Sequence, residues 1–134
     1  MECSVFILKD RGIVIRSSED GSGNIVWQSP VTVLKGKPSA EDLGNAILDI
    51  LGNRISENIT SAEILKNSGF KTWDAFVPKS RLVGVSLKGE KVTATPYFTS
   101  ADGEYYMVLN RDRIVDANAF ETGNSVLKCL EYCE

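Results

Sequence analysis

The stretch from Arg81 to Phe98 constrains the fold most. Arg81-Leu82-Val83-Gly84-Val85-Ser86-Leu87 alternates, Lys88-Gly89-Glu90 supplies a turn, and Val92-Thr93-Ala94-Thr95-Pro96-Tyr97-Phe98 continues on the other side. Period-two runs flanking a short glycine-bearing turn predict an antiparallel β-hairpin. A second turn, Ala101-Asp102-Gly103-Glu104, leads into Tyr105-Tyr106-Met107-Val108-Leu109 and extends the hairpin to a three-stranded meander.

The N-terminal third also reads as strands. Val5-Phe6-Ile7-Leu8 and Gly12-Ile13-Val14-Ile15-Arg16 are short apolar, β-branched runs separated by a charged turn. The polar, glycine-bearing segment from Ser17 to Asn24 reads as a surface loop. Ile25-Val26-Trp27 and Val31-Thr32-Val33-Leu34 are further strand material, broken at Pro30, which cannot donate to a ladder.

Periodicity changes after Pro38. Ser39 with Asp42 resembles a capping box, and Leu43, Ala46, Ile47, Ile50 and Leu51 then share one face at helical spacing. Gly44 costs this helix about 1 kcal/mol relative to alanine, which suggests a close approach to the sheet. Thr60 or Ser61 starts a second helix, stopped by Gly69, and a last one runs from about Ala119 to Tyr132. The expectation is one α+β domain over residues 1–134: a single mainly antiparallel sheet with two or three packed helices. At 134 residues such a domain can bury a core without staples.

Charge bounds the partners. The formal charge is −3, and the signs alternate, as in Lys9-Asp10-Arg11 and Arg111-Asp112-Arg113. Nucleic-acid binding ordinarily shows a basic stripe, so direct nucleic-acid contact is not expected. The first residues, Met1-Glu2-Cys3-Ser4, carry an acid where a signal peptide has bases, and no apolar run reaches membrane-spanning length. A cytoplasmic location with no membrane partner is the expectation. Cys3, Cys129 and Cys133 cannot all pair within one chain, and reduced thiols fit that compartment.

Chemistry is sparse. The chain has no histidine, which removes the commonest general base and metal ligand. Cys129 and Cys133 lack the further ligands of a closed zinc site, and Gly21-Ser22-Gly23 lacks the ending of a phosphate loop. No catalytic residue, metal or cofactor is therefore assigned. Glu41 and Asp42 suit a helix N-terminus, and adjacent acids in a loop are ordinarily solvated. Aromatic residues carry more signal: Trp27, Trp73, Tyr97, Tyr106 and Tyr132 could anchor an interface, although Trp73 and Phe76 are also spaced for one helical face in a core. Alternation at Tyr105-Tyr106 puts one ring inside and its neighbour out.

Phe70-Lys71-Thr72-Trp73-Asp74-Ala75-Phe76, Leu82-Val83-Gly84-Val85 and the strand ending Thr95-Pro96-Tyr97 together resemble immunity proteins of bacterial contact-dependent growth inhibition systems. The likeness takes in the opening strands and the helix around Leu43 to Leu51, and its motifs are hydrophobic and loose. It implies a non-enzymatic inhibitor that binds the C-terminal domain of a cognate toxin, often a nuclease, in the cytosol and occludes its active site or a required surface. For such a protein Glu19, Asp20, Asp102 and Glu104 are candidates to take the place of substrate phosphates, with Trp27 and Tyr106 as aromatic partner contacts. A small adaptor or interaction domain without a toxin partner, a small enzyme, and a nucleic-acid-binding domain are the alternatives.

Overall fold

A computed structural model describes residues 2–19, 21–22, 25–52 and 57–133. The strands are β1 (Glu2–Ile7), β2 (Arg11–Glu19), β3 (Ile25–Lys35), β4 (Asn58–Ile59), β5 (Arg81–Lys88), β6 (Lys91–Thr99), β7 (Tyr105–Met107) and β8 (Arg113–Asp116). They form one sheet in the order β4-β3-β2-β1-β5-β6-β7, with β8 also paired to β6. All of these pairings are antiparallel. The helices are α1 (Ala40–Gly52), α2 (Ser61–Ser68), α3 (Trp73–Phe76) and α4 (Ala119–Cys129), so the described residues hold four where two or three were expected. The extra one is α3, a single turn capped by the Thr72 hydroxyl, which accepts from the Ala75 N–H at 3.2 Å.

Helices pack on both faces of the sheet. On the first face Cys3, Val5, Val14, Val83 and Val85 meet α1 and α4 through Leu43, Ile47, Leu51 and Val126. On the opposite face Phe6, Ile13, Ile15 and Leu82 meet α2, α3 and the 3₁₀ turn Val77–Lys79 through Ile64, Phe76 and Val77. Two-sided burial explains why Val5-Phe6-Ile7 is continuously apolar: β1 is central, and its alternate side chains enter different cores.

Two strand boundaries differ from the sequence reading. Residues Ser17 to Glu19 continue β2 instead of entering a loop, paired with Trp27, Val26 and Ile25. Polar residues sit in this ladder because the sheet face there is only partly covered. Pro30 does not break β3. Arg16 pairs with Gln28 while Ile15 pairs with Val31, so Ser29 and Pro30 bulge out of register and no ladder donor is lost at the proline. Strand β8 covers the Ile114-Val115 pair, which had no strand assignment because it is so short and flanked by acids.

The helix ends are held by identifiable groups. The Ser39 hydroxyl accepts from the Asp42 N–H at 3.1 Å, as the sequence suggested, and the Asn118 side-chain oxygen accepts from the Glu121 N–H at 2.9 Å. Helix α1 has no basic residue in its last turn, and the buried Arg16 guanidinium serves instead, donating to the Ile50 and Leu51 carbonyls at 3.2 and 3.4 Å. Gly69 ends α2 with φ +84°, a conformation open to glycine. Gly44 marks a close approach, but to α4 and not to the sheet. A Cβ there would stand 1.6 Å from the Ala119 carbonyl oxygen, and one at Gly123 would stand 1.7 Å from that of Ala40.

Candidate functional site

The second helical layer is short, and it covers only part of its sheet face. Over Phe6, Ile13 and Leu82 the face is dry and apolar. One pleat further along, Ser4 pairs with Gly84 and Gly84 with Thr95. One pleat beyond that, Glu2 lies between Ser17 and Ser86, and Ser86 pairs with Thr93. Residues two apart on a strand share a face, so these side chains form one floor. The floor changes from apolar to hydroxyl-bearing where the helices stop: Ser86, Thr93 and Thr95 are partly exposed there, while Ser4 and Ser17 are buried beside them.

That uncovered part is a shallow pocket enclosing about 140 Å³. Ser4, Ser17, Ser18, Ser86, Thr93 and Thr95 furnish the hydroxyls, and Glu2 is the single charged residue among the described residues of the lining. Tyr97, Met107 and Ile25 form apolar walls. Gly84 lies beneath Tyr97: a Cβ there would stand 3.1 Å from the ring, which would have to give by a few tenths of an ångström. Ile25 is 39% exposed and Met107 50% exposed. Ile114, opposite Thr93 on β8 and 68% exposed, continues the apolar rim.

The six contact candidates from the sequence fall in separate places. Asp102, Glu104 and Tyr106 share the β6–β7 turn. The Asp102 carboxylate accepts from the Ser100 hydroxyl, from the Glu104 N–H at 3.0 Å and from the Tyr106 hydroxyl at 2.9 Å. These donors, the Ser100 hydroxyl foremost, hold the Asp102 carboxyl below its ordinary value. The same hydrogen bond and the adjacent negative charge push the Tyr106 phenol up. Glu19 ends β2 at the opposite end of the sheet and across β1, so its position is not brought together with the β6–β7 turn. Asp20 lies outside the described residues. Trp27 is half-buried in the second core, its ring centroid 6.3 Å from Phe6 and 5.7 Å from Trp73. Its indole N–H has no hydrogen-bond partner among the described residues.

Among the other aromatics, Trp73 is also in the second core, Tyr97 walls the pocket, and Tyr132 packs under the Arg111 guanidinium at 4.9 Å. Tyr105 points inward, hydrogen-bonded to the Ser80 hydroxyl, while Tyr106 points out, the division that alternation suggested. Glu2 and the hydroxyl floor were missed. Their signal is the placement of Ser, Thr and Gly at every second position of neighbouring strands, which becomes a site only once strand order and helix coverage are known.

The Asp102–Tyr106 contact yields a test. Its contribution is present above the ordinary carboxylate range and is lost as pH falls through the lowered Asp102 value, because only the carboxylate accepts from the phenol in this way. Asp102→Asn removes the charge, so the Tyr106 phenol should titrate closer to the ordinary value of about 10. Ring-carbon NMR titration of both proteins reads this directly, and an unmoved Tyr106 titration would contradict it.

No metal-binding cluster of three or more His, Cys, Asp or Glu occurs among the described residues, and none of their helices is long and apolar enough to cross a membrane. The cysteines are free and buried, with burial pushing the Cys3 and Cys129 thiols up to about 12, which leaves them protonated and unreactive.

No protein-family model matches the chain, and no curated protein matches it. Solved structures share its fold over nearly the whole length. One is a protein of unknown function, NMB0488 from Neisseria meningitidis, with TM-score 0.80 and 17% identity, covering 99% of this chain and 94% of that one. Another is a chain of a CdiA-CT/CdiI toxin and immunity complex from Yersinia pseudotuberculosis, with TM-score 0.75 and 16% identity, covering 99% of this chain and 97% of that one. At such identities the likeness shows a shared fold, which in this chain is a large, mainly antiparallel sheet with packed helices.

Proposed function

We propose that this protein is an immunity protein, which binds and neutralises the C-terminal domain of a cognate contact-dependent growth inhibition toxin in the cytosol. The observation that carries the reading is the end-to-end likeness, 99% of one chain to 97% of the other, to a chain taken from a toxin and immunity complex. The site agrees with that role. It offers hydroxyls, one carboxylate and exposed apolar side chains around an open sheet face, in a chain without histidine. Such a surface is built for contact more than for turnover.

Neutralisation by contact requires an interface of ordinary size, about 1,200–2,000 Å² in total. In this reading the toxin is a nuclease, and the bound protein covers its active site or a surface that its substrate needs. Asp102 and Glu104 act at a distance, adding to the field that steers a cationic toxin toward the protein. Glu19 ends β2 at the opposite end of the sheet, about 20 Å or more away on strand spacing, so one active-site cleft is served by the Asp102–Glu104 turn or by Glu19 and not by both.

The test is co-expression with the toxin domain encoded beside the gene, followed by titration of the purified pair with affinity and residual toxin activity read together. Restored growth, nanomolar binding and loss of activity are expected. A folded, active toxin domain that neither binds nor loses activity would sink the reading for that pair.

A further inference from the structure

We propose that the hydroxyl-floored pocket beside Glu2 is the anchor site of the partner interface, and that it receives an arginine side chain projecting from the toxin. This rests on the immunity reading for the identity of the partner, and on the pocket's own chemistry for the identity of the side chain. An apolar side chain fits badly, because it would strip water from Glu2 and from the partly exposed Ser86, Thr93 and Thr95 without replacing the hydrogen bonds. An anionic group is repelled by Glu2, the single charged residue among the described residues of the lining, which include no cation. A cationic donor suits both features. The carboxylate neutralises its charge, and hydroxyl oxygens spread over β1, β2, β5 and β6 can accept its remaining N–H groups.

Arginine is favoured over lysine by the shape and the walls. Its planar group carries five donors in a fixed fork, matching acceptors dispersed across several strands better than a point-like ammonium does. Tyr97 presents a ring at the pocket wall and Met107 a thioether, surfaces against which a weakly hydrated guanidinium packs favourably. The exposed Ile25, Met107 and Ile114 then surround the polar centre as an apolar rim that excludes water from it. A buried charged contact ringed by apolar groups is the arrangement in which one side chain dominates an interface.

Two measurements separate the pocket from the partner. In the first, ¹⁵N-labelled protein is titrated with N-acetyl-arginine amide and, in parallel, with the uncharged isostere N-acetyl-citrulline amide. Saturable amide shifts clustered at Ser4, Ser17, Ser86 and Thr95 are expected with the arginine probe, and their loss in Glu2→Gln. No clustered shifts, or equal shifts from citrulline, would overturn the proposal. In the second, the neighbouring toxin domain is titrated against wild type, Glu2→Lys, Ser86→Trp and, on the exposed surface of α1, Asp49→Lys, each first shown to unfold as wild type does. The two pocket variants should bind at least about 30-fold more weakly, the loss of one dominant contact. Asp49→Lys, which makes the same charge change on the opposite face, should stay within about twofold. Wild-type affinity in both pocket variants would overturn the pocket while leaving the immunity reading intact. A toxin that wild type fails to bind, together with saturable arginine binding at the pocket, would remove that reading and leave the pocket as a receptor for a basic side chain of another protein.

Discussion

Replacing Gly44 with alanine should destabilise the protein by about 3 kcal/mol or more, although helix propensity alone favours the change by about 1 kcal/mol. The two effects oppose each other, and geometry decides which wins. A methyl at Gly44 would lie 1.6 Å from the Ala119 carbonyl oxygen, far inside any real contact, and the atom it meets is backbone. No rotamer change relieves such an overlap, so α1 and α4 must separate. The contact is reciprocal, since a Cβ at Gly123 would strike the Ala40 carbonyl at 1.7 Å. Separating the helices opens the first core along Leu43, Ile47 and Val126, all fully buried. Gly123→Ala should therefore cost a similar amount. Gly52, at the end of α1, provides the internal contrast, because a Cβ there meets nothing within 4 Å. Gly52→Ala should be neutral or slightly stabilising through the unfolded chain. Denaturant midpoints for the three variants settle the matter. A Gly44→Ala protein as stable as wild type would show that the helices do not approach this closely.

That contact also marks where the sequence could be read and where it could not. Gly44 stood out as a glycine inside a strongly periodic helix, which signals a close neighbour, yet nothing local says which neighbour. The same divide holds elsewhere. The β5–β6 hairpin, the apolar stripe of α1, its Ser39 cap and the span of α4 were legible because each depends on residues a few positions apart. Strand β8 was not, since four residues ending in Asp116 form a strand only because β6 offers them an edge. Pro30 suggested a break for sound reasons, but a bulge removed the constraint by taking the proline out of register. The hydroxyl floor was hidden for a deeper reason. Ser86 and Thr95 read as ordinary alternate positions of strands, and what makes them part of a site is that the helices of that face stop short of them. Acidic loop residues were easier to notice and harder to place: Asp102 and Glu104 lie on one turn, and Glu19 lies at the far end of the sheet.

The second large effect is expected at Phe6. Its ring is fully buried on the central strand, with centroids 5.3 Å from Phe76, 5.9 Å from Tyr105, 6.3 Å from Trp27 and 6.4 Å from Trp73. Those neighbours come from β3, α3 and β7, so one side chain ties the short helical layer to the sheet and to two strands on either side of β1. Phe6→Ala removes the transfer energy of the ring and leaves a cavity that rigid aromatic neighbours cannot easily fill, a loss of about 3–5 kcal/mol. Against a total of about 5–15 kcal/mol for a domain, that is a large fraction of the stability. Phe6→Leu keeps most of the volume and should cost appreciably less. Both tryptophans touch Phe6, so their fluorescence should change in the native baseline as well as report the shifted unfolding midpoint. The covered half of this sheet face is thus a scaffold, and the uncovered half beside it is where a partner can bind. It follows that folded Phe6→Leu protein should keep wild-type affinity for the toxin while Glu2→Lys, on a stable fold, should not. Equal losses in the two would mean that the aromatic layer itself forms the contact surface.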